Sequence, residues 1–224
     1  MKSVVLFSGG QDSTTCLYWA KSQGAVLGAV SVFYGQRHRA ELDAAREIAQ
    51  LAGVPHQLLT CEALGQLADS ALVDGSRDLQ PAGGLVDEVA GTLPTSYVPA
   101  RNAILLALAA AYAVKVGADT IITGVCQTDY SGYPDCRALF IVAFEQALRL
   151  GLPSSARVEI VAPLMHLTKA ATVLLAQSLP GCIEALAKSV TCYEGRRPGC
   201  GVCPACGLRA KGFAEVGIAD PAAA

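Results

Sequence analysis

Val4-Val5-Leu6-Phe7-Ser8-Gly9-Gly10-Gln11-Asp12-Ser13 opens this 224-residue chain with an apolar run, a glycine pair and a helix-compatible stretch. A short buried strand feeds a glycine turn, and the turn feeds a helix. That order aims several backbone N–H groups at one point, where the helix dipole adds partial positive charge. Adjacent glycines tolerate φ > 0 and let the main chain approach an anion closely. Ser8 and Ser13 add hydroxyl donors. The stretch predicts a phosphate cradle. It is not a Walker loop, because the lysine of G-x-x-x-x-G-K-[ST] is missing.

Strand and helix signals alternate beyond it. Strands are expected over Val4–Phe7, Val26–Phe33, His56–Thr60, Thr120–Val125 and Val158–Val161. Helices are expected over Asp12–Gln23, Arg39–Ala52, Ala100–Val116, Arg137–Leu150 and Thr168–Leu179, with Gly151 as a C-cap and Thr168 as an N-cap. Continuous apolar strands joined by helices predict an α/β, Rossmann-like parallel sheet with helices on both faces. In such sheets ligands sit outside the carboxyl ends of the strands. Four segments fall there: Ser8–Ser13, Tyr34–His38, Val125–Arg137 and Ala162–Lys169.

Composition bounds the function. Hydrophobic residues are 52% and charged residues 16%, enough for a large core; the net charge is −2. That balance argues against broad electrostatic binding to a nucleic-acid backbone. The longest apolar stretch, Ala103 to Val114, is short of the ~20 residues that span a bilayer. Lys2 runs straight into a strand pattern, so no signal peptide is expected. A cytoplasmic protein is expected, its nine cysteines thiols or metal ligands rather than disulfides.

Four cysteines crowd together as Cys192-x7-Cys200-x2-Cys203-x2-Cys206, with Gly195, Pro198, Gly199 and Gly201 between them. Four thiolates at this spacing close a tetrahedral shell, which predicts structural zinc; an iron–sulfur cluster is the rival. The chain is expected to divide into a nucleotide-binding α/β domain, 1–187, and a metal-binding C-terminal segment, 188–224. Residues 62–98 are acidic and weakly periodic, and read as an irregular excursion, either a lid or a plain surface insertion.

Asp129-Tyr130-Ser131-Gly132-Tyr133-Pro134-Asp135-Cys136-Arg137 combines aromatics, carboxylates and an arginine. Aromatic faces can stack on a flat heterocycle, and carboxylates can accept paired N–H groups from a guanine-like edge. Equally, the tyrosines can pack and Asp135 can cap a helix. Tyr34-Gly35-Gln36-Arg37-His38 can touch a nucleotide, although a lone histidine is more often structural. Arg101 and Lys169 both stand at helix starts, where a cation is unfavourable unless an anion is near.

The string S-G-G-x-D-S resembles the PP-loop of ATP pyrophosphatases. Together with Y-G-Q-R-H at 34–38, D-Y-S-G-Y-P-D-C-R at 129–137, P-L-M-H-L-T-K at 163–169 and the four-cysteine tail, it resembles the 7-cyano-7-deazaguanine synthase family nearly end to end. The family tends to have glycine where this chain has Ala100. The resemblance implies a carbon–nitrogen ligase that uses ATP with Mg2+ to adenylate a 7-carboxy-7-deazaguanine, takes nitrogen from ammonium, and adenylates again to reach the nitrile. No glutaminase segment is evident. It implies ATP contacts at Phe7, Ser8, Gly9, Gly10, Gln11, Asp12, Ser13, Thr14, Thr15, Cys16, Leu17 and Arg101. Substrate contacts are implied at Tyr34, Gln36, His38, Asp129, Tyr130, Ser131, Tyr133, Asp135 and Arg137, and catalytic roles at Asp12, Ser13 and Lys169. Zinc at Cys192, Cys200, Cys203 and Cys206 and a homodimer complete the expectation. The alternative within the superfamily is a tRNA-modifying enzyme such as a thiolase, which would want a basic surface.

Overall fold

In the computed structural model, which describes residues 1–79, 93–128 and 133–223, the expected alternation is present. In chain order the elements are β1 (Lys2–Leu6), α1 (Gln11–Gln23), β2 (Ala25–Phe33), α2 (Ala40–Ala52), β3 (His56–Thr60), α3 (Glu62–Leu67) and α4 (Arg101–Val116). Then come β4 (Thr120–Ile122), a 3-10 turn (Pro134–Cys136), α5 (Ala138–Gly151), β5 (Glu159–Val161), α6 (Lys169–Ser178), α7 (Cys182–Leu186) and α8 (Pro204–Val216). The strands form one sheet in the order β3-β2-β1-β4-β5, every pairing parallel.

Successive residues of a strand point to opposite faces, and here both faces are covered. Val5, Ala29 and Ile122 enter one core with Leu17, Ile48, Val173 and Leu186, under α1, α2, α6 and α7. Their neighbours Val4, Val30 and Ile121 enter the other, with Leu106, Ala109 and Ile141 of α4 and α5. This is why the strands read as unbroken apolar runs. The strand order reverses at β1, so the chain diverges from the carboxyl ends of β1 and β4 and leaves a crevice there. At Gly124, just past β4, a Cβ would lie 3.2 Å from the Ser13 amide. The missing side chain lets that loop touch the start of α1.

Three regions depart from the sequence reading. Strand β4 stops at Ile122, because the chain then turns over the crevice, with Thr123 N–H donating to Val161 O at 3.0 Å and Gln127 N–H to Met165 O at 3.0 Å. Residues 62–98 were expected to be irregular, yet they contain α3, and Leu64, Leu72 and Val98 pack with Tyr34. A six-residue helix is too short to show a period. Residues 80–92 of that excursion lie outside the described residues. Finally, α7 and α8 had no sequence signal. Phe213 of α8 is nevertheless buried in the core under α1 and α6, and Gly212 meets Lys169 so closely that a Cβ would lie 3.0 Å from its carbonyl carbon. The C-terminal segment is thus built into the helical layer. Among the described residues, no helix is long and apolar enough to cross a membrane.

Candidate active site

A cavity of about 320 Å³ opens where the strand order predicts it, lined by the ends of β1, β2 and β4 and the loops that follow them. One region of its wall is the glycine turn. Ser8 N–H donates to Ser13 Oγ (3.3 Å), Gly10 N–H to Ser8 Oγ (3.2 Å) and Gln11 N–H to Thr191 Oγ1 (3.2 Å). Main-chain amides and hydroxyls therefore converge at the N-terminus of α1, an arrangement suited to phosphate oxygens. The two glycines have different reasons. Gly9 has φ +85°, and a Cβ there would lie 2.3 Å from the Glu41 carbonyl oxygen. Its bareness admits α2, and Gly10 lines the cavity while Gly9 does not.

Asp12 and Lys169 join this region. Lys169 Nζ contacts Asp12 Oδ2 at 2.6 Å, so the cation at the start of α6 is compensated by a carboxylate; Thr168 caps that helix through Ala171 N–H, as expected. The other oxygen, Asp12 Oδ1, is buried with no hydrogen-bond partner among the described residues. An orphaned carboxylate oxygen beside an anion cradle fits a hard divalent cation. Gln11 is only 1% exposed and lines the cavity with both amide atoms unpartnered among the described residues.

The second region is aromatic. Tyr34, Tyr133 and Tyr193 surround the Arg101 guanidinium, which lies 5.3 Å over the Tyr133 ring. Tyr133 pairs with Tyr97 (centroids 5.8 Å apart), and its hydroxyl meets Ser96 Oγ at 2.6 Å. Burial raises the Tyr34 and Tyr193 phenols above their ordinary range, so both stay neutral. Glu41, in the first turn of α2, faces the same space. Burial pushes its carboxyl up to about 7, against the opposing pull of Arg101. Cys136 also lines the cavity, but burial pushes its thiol up to about 11, which leaves no nucleophilic thiolate.

Several expected residues stand elsewhere. Thr14, Thr15, Cys16 and Leu17 do not line the cavity: α1 turns them into the core, where Thr15 Oγ1 donates to Gln11 O and Cys16 Sγ to Thr123 O. Asp135 is buried away from the cavity, and its Oδ2 accepts Asn102 N–H (2.9 Å), capping α4 from a distant loop. Arg137 is exposed at the start of α5. Gln36 lines the cavity, yet its Oε1 accepts the Tyr34 amide at 2.8 Å, within its own turn. His38 also lines the cavity, while its Nε2 lies 3.1 Å from Tyr193 O and its ring packs on Gly195, a linking role. Asp129, Tyr130 and Ser131 lie outside the described residues.

The sulfur atoms of Cys192, Cys200, Cys203 and Cys206 lie within 4.8 Å of one another, a set that could hold a metal. Cys200 N–H points at Cys192 Sγ and Cys203 N–H at Cys200 Sγ, both at 3.4 Å. Amides aimed at sulfur favour thiolates. The cluster adjoins the cavity: Thr191 and Tyr193, which flank Cys192, both line it, and Val190 N–H donates to Gly9 O at 3.0 Å.

The family model described as "Queuosine biosynthesis protein QueC" matches residues 2–217. The chain belongs to the QueC family. It is 53% identical over 222 residues to a 7-cyano-7-deazaguanine synthase of Chromobacterium violaceum, covering 98% of this chain and 92% of that one. A synthase of the same name from Laribacter hongkongensis is 52% identical, with 98% and 93% covered. Among solved structures, a predicted subunit of tRNA methyltransferase from Methanocaldococcus jannaschii superposes with a TM-score of 0.51 at 18% identity, over 79% of this chain and 74% of that one. That likeness concerns the fold alone.

Membership in QueC makes the unforeseen residues stand out. Glu41, Thr191 and Tyr193 carry no motif. One signal was available for Glu41: it shares its helical stripe with Ala45 and Ile48, so a charge lies on a buried face.

Proposed function

We propose that this chain is a carbon–nitrogen ligase that converts 7-carboxy-7-deazaguanine and ammonia to 7-cyano-7-deazaguanine at the expense of two ATP. The observation that carries the reading is one cavity that joins a hydroxyl-lined amide cradle to a guanidinium ringed by tyrosines. The synthases above, about half identical over nearly the whole chain, support the same activity.

The residues divide the work. Ser8, Gly10, Gln11 and Ser13 bind the β,γ-diphosphate and leave the α-phosphorus open. The substrate carboxylate attacks it and pyrophosphate departs; ammonia then displaces AMP and gives the amide. The amide oxygen attacks a second ATP, and loss of AMP with a proton gives the nitrile. Lys169 offsets negative charge as pyrophosphate leaves. Tyr34 and Tyr133 offer faces to a flat ring, and Arg101 meets an anionic group. Asp12 would hold Mg2+, which supplies charge neutralisation between phosphates when bound. The four cysteines would hold zinc that fixes the segment behind Thr191 and Tyr193.

Free ammonium is the nitrogen source in this reading, and a cytoplasmic home fits nine cysteines without a disulfide. The apolar α5, with Leu139, Val142 and Leu150 exposed by 83%, 60% and 88%, supports a homodimer. Sedimentation velocity checks it. Nothing favours the tRNA-modifying alternative: the net charge is −2, and stable nucleic-acid binding is not expected.

The test incubates purified protein with ATP, magnesium, ammonium and 7-carboxy-7-deazaguanine. Two AMP per nitrile are expected; no substrate-dependent AMP release overturns the reading.

A further inference from the structure

Glu41 is the unexplained group in this cavity. Its carboxylate accepts no side-chain hydrogen bond and makes no ion pair within reach among the described residues, although Arg101, Tyr34 and Tyr193 are its charged and titratable neighbours. Arg101, for its part, leans on phenols rather than on a carboxylate. Two opposite charges thus share a half-buried space without pairing. Burying an acid unpaired is unfavourable, and the protein could have relieved it by closing Glu41 on Arg101. A ligand that carries N–H donors on one edge and an anionic group on another would satisfy both.

We propose that Glu41 is the specificity-determining residue for the ring, accepting the paired ring N–H and 2-amino groups of a guanine-type edge. The inference rests on the deazaguanine reading above. The carboxylate has the right chemistry: ionised, it only accepts, and two parallel N–H groups match its two oxygens. The tyrosines beside it supply faces for the same flat ring. An edge without the 2-amino group would leave half of the carboxylate unmet, so the residue discriminates as well as binds.

The experiment compares wild type with Glu41→Gln on 7-carboxy-7-deazaguanine and on its analogue lacking the 2-amino group. KM for the deazaguanine is expected to rise about 10- to 100-fold in the variant, the loss associated with hydrogen bonds to a charged acceptor. KM for ATP should stay within about threefold, since the phosphate cradle is separate. The analogue should be penalised in wild type and treated like the parent by Glu41→Gln.

A pH profile adds a second readout. For wild type, kcat/KM for the deazaguanine should fall as pH drops below about 7, where the acid becomes neutral, and Glu41→Gln should lose that limb. The neighbours leave it visible: Arg101 stays charged, burial holds the Tyr34 and Tyr193 phenols high, and it pulls His38, three residues earlier, below its ordinary value. Glu41→Asp keeps the charge and should retain the limb with a smaller rise in KM, which guards against a variant that merely folds poorly.

Unchanged KM for the deazaguanine in Glu41→Gln, or an analogue penalty that persists in it, overturns the assignment. So does a loss confined to kcat that higher pH or more ammonium restores, which would make Glu41 a proton acceptor instead. If wild type itself makes no nitrile, the proposed function has failed, a result distinct from all of these.

Discussion

The phosphate cradle and the aromatic region border one cavity but are made in opposite ways. The cradle is mostly one hexapeptide, Ser8–Ser13, whose hydroxyls and amides meet because they are neighbours in the chain. The aromatic region draws Tyr34, Glu41, Arg101, Tyr133 and Tyr193 from loops and helix starts spread over some 160 positions. A contiguous turn organises itself through local geometry, whereas a dispersed wall stands only as long as the elements behind it do. Changes in the cradle should therefore strike chemistry and spare the fold; changes around the aromatic region should move stability and chemistry together.

The largest expected effect belongs to the cradle. Asp12→Asn removes the ionised partner of Lys169 and the orphaned oxygen suited to a cation. Turnover should fall at least about 10²- to 10³-fold, with an unaltered circular-dichroism spectrum. Near-normal turnover would show that the cradle works without its carboxylate.

Next comes Cys203→Ser. The cluster lies behind Thr191 and Tyr193, so losing it should loosen the cavity wall as well as the tail. Lower metal content, and a stability loss of about 2–5 kcal/mol by denaturant titration, are expected. Weaker ATP binding should accompany them, through the Thr191–Gln11 bond. Full stability with metal gone would separate the two regions.

Glu41→Gln should change stability in a pH-dependent way. The folded carboxyl sits near 7, above the ordinary value of 4.5. The folded state therefore binds the proton more tightly than the unfolded chain does, and stability drains away as pH rises from about 4.5 to about 7. Glutamine has no proton to lose. The variant should gain about 1–3 kcal/mol over wild type at pH 8 and little at pH 4. Equal stabilities at both pH values would mean that the carboxylate is better solvated than its position implies.

The smallest effect concerns Ala100, the N-cap of α4, which holds φ +57°. A left-handed alanine costs about 1 kcal/mol relative to glycine, so Ala100→Gly should stabilise the chain by about that much in thermal melts, with KM for either substrate little changed. The sequence shows only that alanine stands where the family tends to have glycine; the backbone angle gives the methyl a cost.

Motifs were legible where function is local. The cradle, the Cys192–Cys206 cluster and the Thr168 cap each lie within a short stretch, and the fold class followed from apolar runs of the right period. Long-range roles were not. Asp135 is two residues from Tyr133 in the chain, yet its carboxylate serves Asn102, 33 positions away. Gly9 reads in the sequence as part of an anion site, and only the structure shows that its missing side chain makes room for α2. Glu41 carries no mark in the sequence beyond its stripe and that of a first-turn acid, which a helix dipole explains without any ligand.

Taken alone, the sequence determined the parallel sheet, the glycine turn and the thiol cluster. Each follows from spacing along a few residues, and local sterics, periodicity and ligand count act at that range. Only the tertiary structure decided that the tail joins the glycine turn through Thr191, and that Glu41 and Arg101 face one cavity without pairing with each other. Those juxtapositions arise from how helices seat on a twisted sheet, where burial and charge depend on residues far apart in the chain.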